Sequence, residues 1–359
     1  MVTSGSATNN QKKGEDVIVE LQEGAHFVSA FGVFDGHSGA AAAVHCSKQI
    51  CQQLQAMHQL DKRAIEDAFW AADDDVGRQR MGSGTTATVL ICERLVERGE
   101  VRCWLGWVGD STAVQLDMST GAGAAATVDH ATTSPAEQKW LELLSSVRHR
   151  TTNGSETVAS AAEAVLGRRP SSEEVLLFER AVMRSAVIES QHSSIEGLAE
   201  HCRNAFIMPR SSVKVRSHGP LVVSTAREHE NPHYYDLQMT RSIGDWFGPD
   251  VVLPHPECRC FTVTHSKWVR LILASDGLWS VCSHARAITR ARGCATAAEA
   301  ASSLLDLVES HFAAKGRRTF SDDVSIVVVD INPSLLNYQP PSAFYVAGCS
   351  ISSPGCMLM

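Results

Sequence analysis

Apolar and polar residues alternate from about Val17 to Phe34, in VIVEL and then HFVSAFGVF, and the run stops at Asp35-Gly36, a strong turn signal. That period predicts two strands meeting a tight turn. From Ser38 to about Arg80 there is no proline, alanines are dense, and apolar residues recur at helical spacing, as in Ile65, Ala68, Phe69 and Ala72. Two helices are expected there. β-Branched residues then dominate GTTATVLIC, VRCWLGWVG and, after Asp110, STAVQL, with a charged turn at Glu97 to Glu100. These predict an antiparallel meander.

From about residue 131 to 219 the character changes: Ser, Thr, Glu and Arg prevail, with Gly154 and Pro170 as punctuation. Weakly amphipathic stretches there predict an insertion, helical with disordered joints. Strand patterns return with PLVVS and ECRCFTVTH, and WVRLILASDGLWSVCS runs an apolar strand into an acidic turn and a helix. An alanine-rich helix from about Thr296 to Ala314 precedes Ser321-Asp322-Asp323 and the strand VSIVVVDI. After Asn332 periodicity is lost, and no internal repeat is visible.

An apolar share of 44% in 359 residues allows a large core, as one domain carrying an insertion. The net charge of −8 gives no basic face for nucleic acid. Met1 to Lys13 is polar and lacks the apolar core of a secretory signal, and no run reaches membrane-spanning length. The 11 cysteines form no CxxC pair, so reduced thiols in a cytoplasmic monomer are expected. Cys258 and Cys260, at alternate positions of a strand, suit the core better than zinc.

Asp35 follows FGVF, Asp276 follows LILAS, and Asp322 precedes VSIVVVDI, so each stands at a strand end. If those strands share a sheet system the carboxylates can converge, and such a cluster calls for a cation. Hard oxygen ligands suit Mg²⁺ or Mn²⁺. Taken singly, each turn is equally ordinary Asp-Gly chemistry. His37 is a proton donor or a surface loop residue, and GSGTTA (Gly82 to Ala87) lacks the Lys of a phosphate loop.

Order and surroundings separate these readings. The chain carries GED (Gly14 to Asp16), FGVFDGHSG, GSGTTAT, WVGDSTAV, Asp129-His130, TRSIGD (Thr240 to Asp245), LASDGLWS and SDDVSIVVV. In that sequence they resemble the metal-dependent type 2C protein serine/threonine phosphatases (PPM type). The resemblance implies an α+β fold: a four-layer α-β-β-α sandwich, two antiparallel sheets flanked by helix pairs, with a dinuclear metal cleft at one end. It implies two Mg²⁺ or Mn²⁺ ions, Asp35 bridging them, the Gly36 carbonyl, Asp276 and Asp322 as further ligands, and Glu15 and Asp16 as an acidic pair acting through water. A metal-activated water would attack phosphoserine or phosphothreonine of protein substrates, with His37 as general acid. The implied domain spans residues 14–332, after a polar segment 1–13 and before a loose tail 333–359.

Some positions depart from the family pattern. Where the family has a phosphate-binding Arg this chain has Gln11, so Lys12 or Lys13 would serve, without Arg's bidentate fork. Ser280 replaces an acid linked to a third metal, while Asp110 is retained there. A catalytically weak or inactive fold serving as a regulatory module therefore stays open. The chain ends Cys356-Met357-Leu358-Met359, which fits the C-a-a-X prenylation signal, and Cys349 could accept a palmitoyl group. Such a tail would hold the protein on a membrane surface; an unmodified end is the alternative.

Overall fold

The computed structural model describes residues 1–10, 12–23, 28–152, 156–192, 206–209, 221–224, 236–248, 250–316 and 320–337. Gln11, Cys349 and Cys356 lie outside them. The strands are β1 (Val2–Asn9), β2 (Val17–Leu21), β3 (Val28–Phe34), β4 (Gly36–His37), β5 (Gly84–Thr85), β6 (Ala87–Leu95), β7 (Glu100–Val108), β8 (Thr112–Asp117) and β9 (Gly123–Ala125), then β10 (Phe206–Pro209), β11 (Leu221–Ser224), β12 (Asp236–Leu237), β13 (Ile243–Gly244), β14 (Glu257–Val263), β15 (Val269–Ala274) and β16 (Val324–Ile331). The helices are α1 (Ala41–Ala56), α2 (Lys62–Arg78), α3 (Pro135–Thr152), α4 (Val158–Leu166), α5 (Ser172–His192), α6 (Asp276–Trp279), α7 (His284–Arg292) and α8 (Ala297–Ala314).

Two five-stranded antiparallel sheets face each other, ordered β14-β7-β6-β3-β2 and β1-β16-β15-β8-β9. Between them Phe31, Val33, Leu90 and Leu105 of the first meet Leu271, Leu273, Val327 and Val329 of the second. Helices α1 and α2 cover the outer face of the first sheet, and α7 and α8 that of the second. Every position of β3 and β16 is buried because both faces of these strands are covered. On α1, Ala42, Cys46, Ile50 and Leu54 recur every fourth residue and are all buried, which fixes its sheet-facing stripe. The α+β four-layer architecture expected from the sequence is the one observed.

Three expectations change. The polar segment at residues 1–13 does not lie outside the fold: β1 pairs with β16, Val2 opposite Ile331 and Asn9 opposite Val324. It is polar because it is an edge strand, buried only at Gly5, where α8 passes so close that an added Cβ would stand 2.3 Å from the Ala298 Cα. The meander stops at β7, since after Asp110 the chain crosses to pair β8 with β15 in the other sheet. Of the two β14 cysteines only Cys258 is drawn toward the core; Cys260 is exposed.

The stretch read as an insertion forms α3, α4 and α5, which build a small core of their own. Leu144, Val147, Ala161 and Phe178 pack there against Trp70 and Leu253 of the sandwich. No described helix is long and apolar enough to cross a membrane.

Candidate active site

Acidic residues from both sheets meet where the strands end. Asp35 leaves β3 with its N–H donated to Thr86 Oγ1 at 3.1 Å, while its carbonyl accepts the Thr86 N–H at 2.9 Å. The GSGTTA segment is thus a strand entry that holds Asp35. Asp276 opens α6, and the preceding Ser275 exchanges two 3.0 Å hydrogen bonds with Ser325 of β16. That exchange ties the Asp276 and Asp322 turns together. Gly277 is required beside them, because a Cβ there would stand 1.9 Å from the Asp323 carbonyl oxygen. Asp110 occupies the crossover between the sheets.

The electrostatics report how closely these groups sit. Burial, then the charges of Asp16, Asp276, Asp110 and Asp322, holds the Asp35 carboxyl well above the usual carboxylate range. Burial lifts Asp16 to about 6 despite hydrogen bonds with Ser275, Ser325 and Asp35. Asp110 is pushed up to about 7 by burial and then by Asp276 and Asp129, and burial and Asp322 raise Asp276. Asp35, Asp110, Asp276 and Asp322 are nevertheless only half-buried, so solvent and ions can reach them. An all-carboxylate donor set, with Asp16 Oδ2 buried and unpartnered, fits hard divalent cations such as Mg²⁺ or Mn²⁺.

Asp323, singled out by no sequence argument, organises the segment before β2. Its oxygens accept the N–H groups of Lys12, Lys13 and Glu15 at 2.9 to 3.0 Å. Burial works against its charge, but these backbone donors outweigh it and hold its carboxyl below the ordinary value. Glu15 is turned to the Gly39 N–H at 2.6 Å, and Gly36 packs on the Glu15 backbone, where a Cβ would come within 2.5 Å of the Glu15 carbonyl oxygen. The Lys13 ammonium pairs with Asp322 at 2.8 Å. Ser280 caps its own turn, donating to the Gly277 carbonyl at 3.3 Å.

His37 is no surface histidine. Its Nε2 lies 2.7 and 2.9 Å from the two oxygens of Asp245, a residue 208 positions away, and its Nδ1 is buried without a partner. Burial disfavours the imidazolium, yet Asp245 outweighs it and raises the His37 pKa. Asp245 has a left-handed backbone, φ 58°, and its carboxylate also accepts the Ser242 hydroxyl. The sequence placed Asp245 in the TRSIGD motif but offered no clue to this pairing.

A second grouping lies apart. His130, Glu137 and Glu257 each offer a donor atom within 4.8 Å of the others. Arg241 already neutralises them, donating to Glu137 at 2.6 and 3.0 Å and lying 3.8 Å from Glu257. It is an ion-pair network. Among the described residues no three donors of the Asp35 group meet that spacing.

Two facing antiparallel sheets flanked by helices, with carboxylates gathered where strands end, define a four-layer α+β sandwich. The sequence profile of Protein phosphatase 2C matches residues 2–146 and 214–311, and the chain belongs to the protein phosphatase 2C family. It is 26% identical over 324 residues to "Probable protein phosphatase 2C 33" of Oryza sativa subsp. japonica, covering 88% of this chain and 56% of that protein. It is 25% identical over 342 residues to "Probable protein phosphatase 2C 12" of Arabidopsis thaliana, covering 90% and 61% respectively. The chain thus spans about three-fifths of the length of these curated relatives. Among solved structures, the serine-threonine phosphatase 2C from Toxoplasma gondii has a similar fold, with a TM-score of 0.60 at 16% identity, covering 92% of this chain and 94% of that one. A C. elegans sex determining protein follows at TM-score 0.56 and 15% identity, over 93% and 66% of the two chains.

Proposed function

We propose that this chain hydrolyses phosphoserine and phosphothreonine in proteins, using two Mg²⁺ or Mn²⁺ ions held by Asp35, Asp276, Asp322 and the Gly36 carbonyl. Glu15 and Asp16 would support that set, and Asp110 would serve a weaker third site. The observation that carries this reading is the convergence of Asp16, Asp110, Asp276 and Asp322 on Asp35, whose carboxyl is raised by burial and then by the charges of all four. Bound ions would supply positive charge against a phosphate dianion and make water a nucleophile near neutral pH.

The chain's own residues do the rest. Thr86, Ser275 and Gly277 fix the carboxylate-bearing turns, and Asp323 holds the segment that carries Glu15 and Asp16. His37, kept protonated by Asp245 on Nε2, has Nδ1 left for the departing serine or threonine oxygen. That atom is covered, so the incoming side chain must displace its cover.

The test is Mn²⁺-dependent hydrolysis of a phosphoserine peptide by the full chain. Asp276→Ala is expected to lower the rate by roughly 100-fold or more, since several kcal/mol of charge stabilisation depend on the ions. Equal rates for the two proteins would sink the proposal. The Lys13–Asp322 pair favours one other reading, a metal-poor fold that only binds phosphoproteins; it predicts peptide binding without turnover at any Mn²⁺ concentration.

A further inference from the structure

Helix α5 belongs to the stretch between residues 146 and 214 that the family profile leaves unmatched, yet it sends a guanidinium to the residue that precedes Asp245, the partner of His37. Arg184 is 3% exposed and Asp73, on α2, is fully buried. Arg184 Nε donates to Asp73 Oδ2 at 2.8 Å and Nη2 approaches Oδ1 at 3.4 Å. The same Nη2 donates to the Gly244 carbonyl, while the Gly244 N–H donates to Asp73 Oδ1 at 2.7 Å. The Arg184–Asp73 pair therefore grips Gly244 on both sides. The gripped carbonyl belongs to the peptide unit that leads into Asp245.

Asp245 needs such a grip. A left-handed backbone at a residue with a side chain is unfavourable by roughly 1 kcal/mol and persists only where its surroundings impose it. The next residue is held by the same pair: the Trp246 indole N–H donates to the Asp73 carbonyl at 3.0 Å, and the guanidinium stacks 4.8 Å from its ring. Helix α5 is itself anchored alongside, where the Ser185 hydroxyl and Arg148 of α3 both bond Asp250. We infer that Arg184 of the inserted helix is a positioning residue for phosphoryl transfer, setting the Gly244–Asp245 peptide and through it the ring of His37. The insertion is then a working wall of the active site and not an appendage.

This rests on His37 as the proton donor, and leaving-group dependence separates the two ideas. A serine alkoxide needs a proton to depart, whereas para-nitrophenolate leaves without one. The full chain with Mn²⁺ is assayed for kcat and KM on a phosphoserine peptide and on para-nitrophenyl phosphate, as wild type, His37→Gln, Arg184→Met and Arg184→Lys. Arg184→Met is expected to lose roughly 10-fold to 100-fold in kcat on the peptide, with KM nearly unchanged and the nitrophenyl ester little affected, the same signature as His37→Gln. If Arg184→Met does not fold, Arg184→Lys carries the test: it keeps the charge against Asp73 but lacks the fork that spans Asp73 and Gly244, so a smaller loss of the same selectivity is expected. Should His37→Gln be selective while the folded Arg184 variants lose both substrates equally, or neither, the positioning role is overturned and the proposed chemistry stands. Should His37→Gln itself show no selectivity, the proton-donor reading falls and this inference with it.

Discussion

Gly84 has no side chain because none fits: a Cβ would stand 2.4 Å from both Asp245 oxygens and from His37 Nε2. Gly84→Ala should therefore push the carboxylate and imidazole apart while the protein stays folded. A drop of roughly 10-fold or more in kcat on a phosphoserine peptide is expected, because small displacements of a catalytic group are heavily penalised. Unchanged kcat would mean that the dyad does not matter to the reaction. At this scale the sequence was partly legible. Asp35, Asp276 and Asp322 stand out as strand-end acids, and in the structure the charges of Asp276 and Asp322 act on Asp35. Asp245 and Arg184 did not stand out, because their meaning lies in partners 208 and 111 positions away. Arg184 sits in a weakly amphipathic run where an arginine reads as surface.

Strand and helix patterns were readable wherever a single face decided burial, as on α1 and α2, and harder to read where an element's partner was distant. β1 shows little alternation because its stability comes from pairing with β16 and from the fit of Gly5 under α8. The β7–β8 crossover carries no local signal, since STAVQL suits either sheet equally well. Packing of α7 onto the second sheet adds one buried cation to its apolar contacts. Arg270 of β15 pairs with Asp330 opposite it on β16 at 2.6 and 2.7 Å, and Nη1 also donates to the carbonyls of Ala291 and Cys294 at the end of α7. Arg270→Met would leave Asp330 and two carbonyls without that donor. A loss of about 3–5 kcal/mol in chemical denaturation is expected; a loss below about 1 kcal/mol would show that water replaces the guanidinium.

Across the whole molecule, a net charge of −8 comes with a cleft of clustered acids, so divalent cations should bind the folded chain far better than the unfolded one. At Mn²⁺ about 100-fold above its dissociation constant, linkage gives about 2.7 kcal/mol of added stability. That corresponds to a rise in Tm of roughly 4 °C for a domain of this size. Thermal scans with Mn²⁺ and with chelator would check it, and the increment should vanish in Asp276→Ala. No difference in the wild type would argue against any ion site in the cleft. The carboxylates that would share those ions come from opposite halves of the sandwich, Asp35 from one sheet and Asp276 and Asp322 from the other. The apolar filling between the halves, Phe31, Leu90, Leu271 and Val327 among it, would then act as a spacer that gauges the gap such ions would bridge. Ion affinity would then be adjustable from deep inside the protein, by a methyl group more or less, without touching a ligand.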